Sequence, residues 1–238
     1  MTRITHRPQP SGAKTVHSPG KPARRAVATL ALALLFSLAA SEARAVIAFV
    51  KNIGTNSSAT TGTTIAVTAP AAGVATGDSI ILTLAMADAS GGVSATDAKG
   101  NTYSVAADVT NASNVRTVIL AAHNVTALVS GDTITVTHPS ASLRALSANE
   151  FSGVSPTSAL EQTHTATGSS TAPSSGATAA TTEAAELLLG AMGVAGTTSD
   201  TFTAGASYTA LAQAGTPTIG FRGATSASSS GSVTSLSL

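Results

Sequence analysis

The chain contains no cysteine and no tryptophan, and only 3% of its residues are aromatic. Without cysteine there is no disulfide to staple the fold and no thiolate to act as nucleophile or metal ligand. Stability has to come from burial and backbone pairing, which a chain of 238 residues is long enough to supply. The scarcity of aromatics removes the flat platforms on which sugar rings are commonly stacked. Charge is sparse as well, at 10% of residues. A disordered chain normally carries more charge and fewer β-branched residues than this one. What fills the sequence instead is alanine, serine, threonine and glycine, interrupted by short runs of valine, isoleucine and leucine. That composition suits a packed core of small side chains.

The charge is unevenly placed. Residues 1–25 hold Arg3, Arg7, Lys14, Lys21, Arg24 and Arg25 and no acid. An apolar run from Ala26 to Ala40 follows, then the small-residue triplet Ala43-Arg44-Ala45. A basic stretch, a short apolar stretch and an A-x-A site together predict a secretory signal over residues 1–45, with the mature chain starting at Val46. The apolar run is short of the ~20 residues that span a bilayer, so cleavage is expected rather than anchoring, and contact with a membrane only if the leader is uncleaved. Beyond Ala45 the basic residues are Lys51, Lys99, Arg116, Arg144 and Arg222, set against ten acids, a net charge of about −5. No basic patch is left to neutralise phosphates, which excludes nucleic acid as a partner.

Period-two patterning dominates the rest. Ile65 and Val67 alternate with Thr64, Ala66 and Thr68, and Ile80, Leu82, Leu84 and Met86 share one face of the next run. Tyr103 to Val109, Arg116 to His123, Thr133 to Thr137, Leu143 to Phe151 and Leu187 to Val194 read as further strands. So do Tyr208 to Ala212, Thr218 to Arg222 and Val233 to Leu238. Gly77-Asp78 and Gly131-Asp132 each open a strand, and Gly100 closes a turn that starts at Asp97, a place suited to a left-handed backbone. Ala141 to Asn149 and Thr181 to Leu189 have some helical character, but their Gly and Ser flanks favour strands. Many strands at regular spacing predict an all-β fold, an antiparallel β-sandwich of jelly-roll or immunoglobulin-like type. The Thr/Ser/Ala/Gly-rich stretch His164 to Thr182 is read as a long connection inside one domain, residues 46–238, because neither half alone holds enough large apolar residues for a core.

Few residues invite chemistry. No G-x-S-x-G elbow accompanies the abundant serines, and His123, His138 and His164 read as solvated or turn-capping side chains. Glu150 and Glu161 flank the Ser152 to Ser158 turn, the one pair of carboxylates that a glycosidase mechanism would use. The simpler expectation is that Glu150 caps a strand end or pairs with Arg144 or Arg222. Zinc motifs are absent, and Asp78, Asp97 and Asp132 are isolated in sequence without D-x-D-x-D spacing, so turn formation is their expected role. Asn56-Ser57-Ser58, Asn111-Ala112-Ser113 and Asn124-Val125-Thr126 match a glycosylation triplet that arises by chance in this composition. No catalytic, cofactor-binding or metal-binding residue is expected, and no cofactor.

Several of these pieces resemble a β-sandwich module of bacterial exported and surface proteins. They are Gly77-Asp78 with the apolar strand after it, Asp97-Ala98-Lys99-Gly100-Asn101-Thr102-Tyr103, and Glu150-Phe151-Ser152-Gly153-Val154. Glu186 with Leu187 to Gly190, and Phe202-Thr203-Ala204-Gly205 before Tyr208, complete the likeness. The resemblance implies export, a β-sandwich and a role at the cell surface, in the periplasm or outside the cell. It also implies a further apolar strand after Ser237-Leu238, so the domain is expected to lack its last strand and to leave a sheet edge that another chain fills. The functional expectation is a non-catalytic structural or interaction module of adhesion type, with a protein or glycan partner or self-association through that edge. The alternatives are a carbohydrate-binding module and, behind it, a hydrolase.

Overall fold

Two strands with almost no exposed residue organise the fold. β3 (Ser79–Ala87) and β8 (Arg144–Ser152) lie side by side, antiparallel, and each is buried at every position but the last. Only a sheet covered on both faces buries two consecutive side chains in turn, so the strands at its centre show near-continuous rather than alternating burial. The structure is a computed structural model that describes residues 46–183, 185–195, 203–205, 208–215 and 221–229, the last stretch by its backbone alone. The leader over residues 1–45 and the expected strand from Val233 to Leu238 lie outside the described residues.

The central sheet has the order β1-β8-β3-β6-β5, with β1 (Ala48–Ser58), β5 (Ser104–Thr110) and β6 (Val115–Ala122) completing it. One face is covered by a three-stranded sheet of order β2-β7-β4, from β2 (Gly62–Thr68), β4 (Ser94–Asp97) and β7 (Thr133–Ala141). Ile80, Leu82 and Leu84 of β3 meet Ile65, Val67, Ile134 and Val136 in this layer, which forms the main core. The opposite face of β3 presents Ile81, Thr83 and Ala85. It is covered by a second small sheet in which β12 (Phe221–Ser229) is flanked by β9 (Leu187–Ala195) on one side and by β10 (Thr209–Ala210) and β11 (Ala214–Gly215) on the other. Ile81, Ala121 and Phe151 pack there with Leu211, Leu187 and Leu189.

All strand pairs are antiparallel, so the all-β antiparallel sandwich read from the sequence is the architecture, with a third, smaller layer added. Among the described residues there is no helix, and none is long and apolar enough to cross a membrane. The third layer can sit close because β9 is made of small residues where it crosses the sheet. A Cβ on Gly193 would lie 2.4 Å from Thr117 Oγ1 and 3.1 Å from Ala85 Cβ, so only glycine fits. The interface is also pinned by polar groups. Ser147 Oγ of the central sheet donates to the Ala212 carbonyl beside β10 and β11 (2.8 Å), and Asn52 Nδ2 donates to Asn149 Oδ1 (3.0 Å) within the central sheet beside it. The described residues of 153–186 form no strand and carry the chain from the central sheet to the third layer.

Candidate functional site

The residues singled out by sequence fall into separate places. Asp97 ends β4, and both its carboxylate oxygens are occupied. Oδ1 accepts from the Lys99 and Asn101 backbone N–H groups at 2.9 and 3.2 Å, and Oδ2 from Asn101 Nδ2 and the Tyr103 hydroxyl, both at 2.9 Å. Asn101 then exchanges two hydrogen bonds with the Thr126 backbone. Gly100 takes φ 74°, the left-handed position anticipated for it. Burial pushes the Asp97 carboxyl up, but its four donors outweigh burial and hold it below the usual carboxylate range. Asp132 accepts from Val129 N at 2.8 Å and pairs with Lys99 at 3.2 Å. Both aspartates are therefore turn residues. Among the described residues, no group of three or more His, Asp or Glu is placed to hold a metal ion.

The histidines differ from expectation in one case. His138 is not solvated: it is buried in β7, with Nδ1 2.7 Å from the Pro139 carbonyl oxygen, and burial holds its imidazole below the ordinary value. The odd position falls in a β7 that runs four residues beyond the alternation visible in the sequence, so His138 points into the core instead of ending the strand. His123 follows β6 and sits 2.9 Å from Ser79 Oγ. Burial lowers its imidazole too. Ser79 is itself fully buried, which denies a substrate access to its hydroxyl.

The two glutamates of the sequence reading are not brought into one site. Glu161 is exposed, and its Oε1 accepts from Thr182 N at 2.5 Å. Glu150 has 0% exposure inside the central sheet. Its partner is Lys51 and not Arg144: Lys51 contacts Oε2, while Ala75 N donates to Oε1 at 2.7 Å, and the Arg222 side chain lies outside the described residues. Arg144 instead donates from Nη1 to the carbonyls of Thr60 and Ala141, both at 2.6 Å. Arg222 lies on β12, where β12 pairs with Val194 and Gly215. The Asp78 carboxyl lies near enough to Glu150 for the two acids to act on each other. Burial raises Asp78 first, the Glu150 carboxyl raises it further, and Lys51 opposes both. Lys51, Asp78 and Glu150 thus form a partly enclosed cluster of two carboxyls and one amine.

A groove that no sequence motif announced runs along β9. At one end is a cavity of about 200 Å³ lined by Ile81, Ile119, His123, His164, Leu189 and Tyr208. It continues into hollows of about 340 and 610 Å³ between the stretch 164–175, β5 and residues 189–195. Residues 165–175 wall it with small side chains, hydroxyls and Pro173. Beside it, β9 pairs with β12 on one edge and with no strand on the other among the described residues.

The other sheet edges are blunted in ways that β9 is not. β1 has bulges at Val50 and Ile53, and β5 has one at Ala106. β5 also carries Asp108, which Arg116 holds through two parallel hydrogen bonds, Nε to Oδ1 (2.9 Å) and Nη2 to Oδ2 (2.6 Å). β2 is irregular between Gly62 and Thr64, β4 has 4 residues, and β10 and β11 have 2 each. β9 is Leu-Leu-Leu-Gly-Ala-Met-Gly-Val-Ala, without bulge, charge or proline. Such an edge presents its N–H and C=O groups as a template for another strand. No protein-family model, curated protein or solved structure matches the chain.

Proposed function

We propose that the chain is an exported, non-catalytic structural module of the cell surface or extracellular space, and that it assembles with a second copy of itself through the open edge of β9. The observation that carries this reading is the contrast between β9 and every other described edge. Bulges, charge or shortness blunt the rest, whereas β9 runs nine residues without bulge, charge or proline beside a groove. The leader, with its basic stretch, its apolar run and Ala43-Arg44-Ala45, supports export. The polar residues singled out by sequence support a scaffold role, because Asp97, Asp132 and Glu161 are spent on backbone turns and strand ends.

A second copy is the natural occupant because the edge is self-complementary. Two β9 strands related by a two-fold axis pair antiparallel, and each supplies the backbone groups that the other lacks. The net negative charge of the mature chain disfavours close approach elsewhere, but β9 itself carries none. Size-exclusion chromatography with light scattering tests the reading. The mature protein should run as a dimer. Met192→Lys should run as a folded monomer, because it puts a charge on the face of β9 turned away from the central sheet. A wild-type protein that stays monomeric at high concentration, with the circular dichroism of a folded β protein, would overturn the proposal.

A further inference from the structure

β1 is out of step with β8 in one place, and the consequence is chemical. Phe49 stands opposite Phe151 and Lys51 opposite Glu150, so Val50 is an extra residue with no partner. Without that bulge, Val50 would face Glu150 and Lys51 would turn to the other side of the sheet, because side chains alternate with period two. The bulge therefore aims the Lys51 amine at Glu150. Bulges often re-aim side chains beside reactive sites.

The surroundings are unusual for a salt bridge. Glu150 is fully buried, flanked in register by Ile80 and covered by the loop that holds Ala75. Withdrawing an ammonium and a carboxylate from water costs several kcal/mol per ion, roughly, and their attraction often fails to offset it. A second carboxyl, Asp78, is close enough to the same glutamate to be raised by it, so two acids and one amine share a small volume. Condensation needs an amine without its extra proton facing a protonated carboxyl, and Asp78 is the group beside them that can carry a proton between the two.

We propose that Lys51 Nζ and Glu150 Cδ condense into an intramolecular amide that ties β1 covalently to β8. The Nζ lone pair attacks Cδ, and the N–C bond forms. Asp78 takes a proton from Nζ and passes one to the Glu150 oxygen that departs. The C–O bond breaks, and that oxygen leaves as water. The balance is acid plus amine to amide plus water, with Asp78 restored and no oxidant or reductant needed. Ala75 N–H, 2.7 Å from Oε1, is placed to stabilise the negative charge that gathers on that oxygen during attack. Holding the partners in contact replaces a bimolecular encounter, for which effective molarities of ~10⁵ M and above are known. The cross-link would serve a chain without cysteine as a disulfide serves other exported proteins, anchoring an edge strand to the interior of the sheet.

Intact mass spectrometry of the denatured protein, purified from a bacterial host, tests this directly. The wild-type mass should fall below that of the sequence, counted from the observed N-terminus, by one water molecule. Digestion should yield a branched peptide joining Lys51 to Glu150. Lys51→Arg and Asp78→Asn should both show the full sequence mass, and Asp78→Asn keeps the contact geometry in case the lysine variant folds poorly. A wild-type mass equal to the sequence mass, before and after prolonged incubation, would overturn the proposal. So would a water loss that survives in Lys51→Arg. A loss that survives in Asp78→Asn would overturn the role of Asp78 as proton carrier.

Discussion

The Tyr103 hydroxyl donates to Asp97 Oδ2 at 2.9 Å and closes the turn that leads from the outer three-stranded sheet into the central one. The same carboxylate accepts from two backbone N–H groups and from Asn101, which in turn is fastened to Thr126. Burial pushes the Tyr103 phenol well up, and the carboxylate that accepts its proton adds to this, so the hydroxyl stays a donor at any ordinary pH.

Asp97→Ala should therefore destabilise the fold by about 1–3 kcal/mol, since it leaves several donors without an acceptor, and Tyr103→Phe by about 1 kcal/mol. The double variant should cost less than the sum of the two, because they share one hydrogen bond. Urea denaturation of the four proteins provides the cycle. The sign of the acid response follows from the depressed carboxyl. A folded-state pKa below the ordinary 3.8 stabilises the fold above that value, and the contribution is lost as pH falls through the folded pKa. Asp97→Asn should flatten that acid limb.

Much of this turn was legible beforehand, because Asp, Asn and Gly at fixed offsets between apolar runs have a local mechanism. The strands with clean alternation, such as Ile80 to Met86 and Ile134 to Val136, were equally plain. β1 was not. Its two bulges break the period, and Lys51, Asn52, Gly54 and Asn56 are weak strand formers. β12 was missed beyond Arg222 because Gly-Ala-Thr-Ser-Ala-Ser-Ser offers no apolar alternation. Its place comes from pairing with β9 along nine residues, a tertiary effect. Glu150 reads from the sequence as a strand-end residue that needs a cation, with Arg144 or Arg222 as the candidates, and Lys51 is not among them. Arg144 lies six residues away on the same strand, whereas Lys51 is brought in by a bulge on a strand that the pattern hid. The β9 groove depends on where a long connection without strands passes, which no periodicity encodes.

His138 and Arg144 offer a second prediction. The two are close enough for the guanidinium to disfavour a charge on the imidazole, and burial disfavours it more. His138 Nδ1 lies against the Pro139 carbonyl oxygen, which partly opposes the shift. His123 is shifted in the same direction by burial. A histidine whose folded pKa lies below its unfolded value of 6.5 is neutral in both states above that value, where stability is full. As pH falls below it, the unfolded chain takes up protons that the folded chain refuses, and stability declines toward the folded pKa. The urea midpoint should therefore drop between about pH 7.5 and about pH 5.5, the range in which histidine titrates. His138→Gln should reduce the slope, leaving the share due to His123. A midpoint that does not move over this range would mean that both imidazoles titrate as they do in the unfolded chain.

Gly193 is the sharpest test of the third layer. Its position is defined by what a methyl group would strike: Thr117 Oγ1 at 2.4 Å, Val115 Cγ1 at 3.0 Å and Ala85 Cβ at 3.1 Å. Two of the three are short, stiff groups on β6 and β3, and Ala85 has 0% exposure, so none can swing aside cheaply. Gly193→Ala should then cost about 1–3 kcal/mol, the usual penalty for overpacking, although alanine is ordinarily the better strand residue of the two. Gly190→Ala is the control. It lies on the same strand but on the face turned away from the central sheet, and should be neutral or slightly stabilising. If both variants unfold at the wild-type urea concentration, β9 does not rest on β6 and β3 as closely as described. If only Gly193→Ala is destabilised, and Thr117→Ala restores part of the loss by clearing the nearest obstacle, the contact between the third layer and the central sheet is established at the level of single atoms.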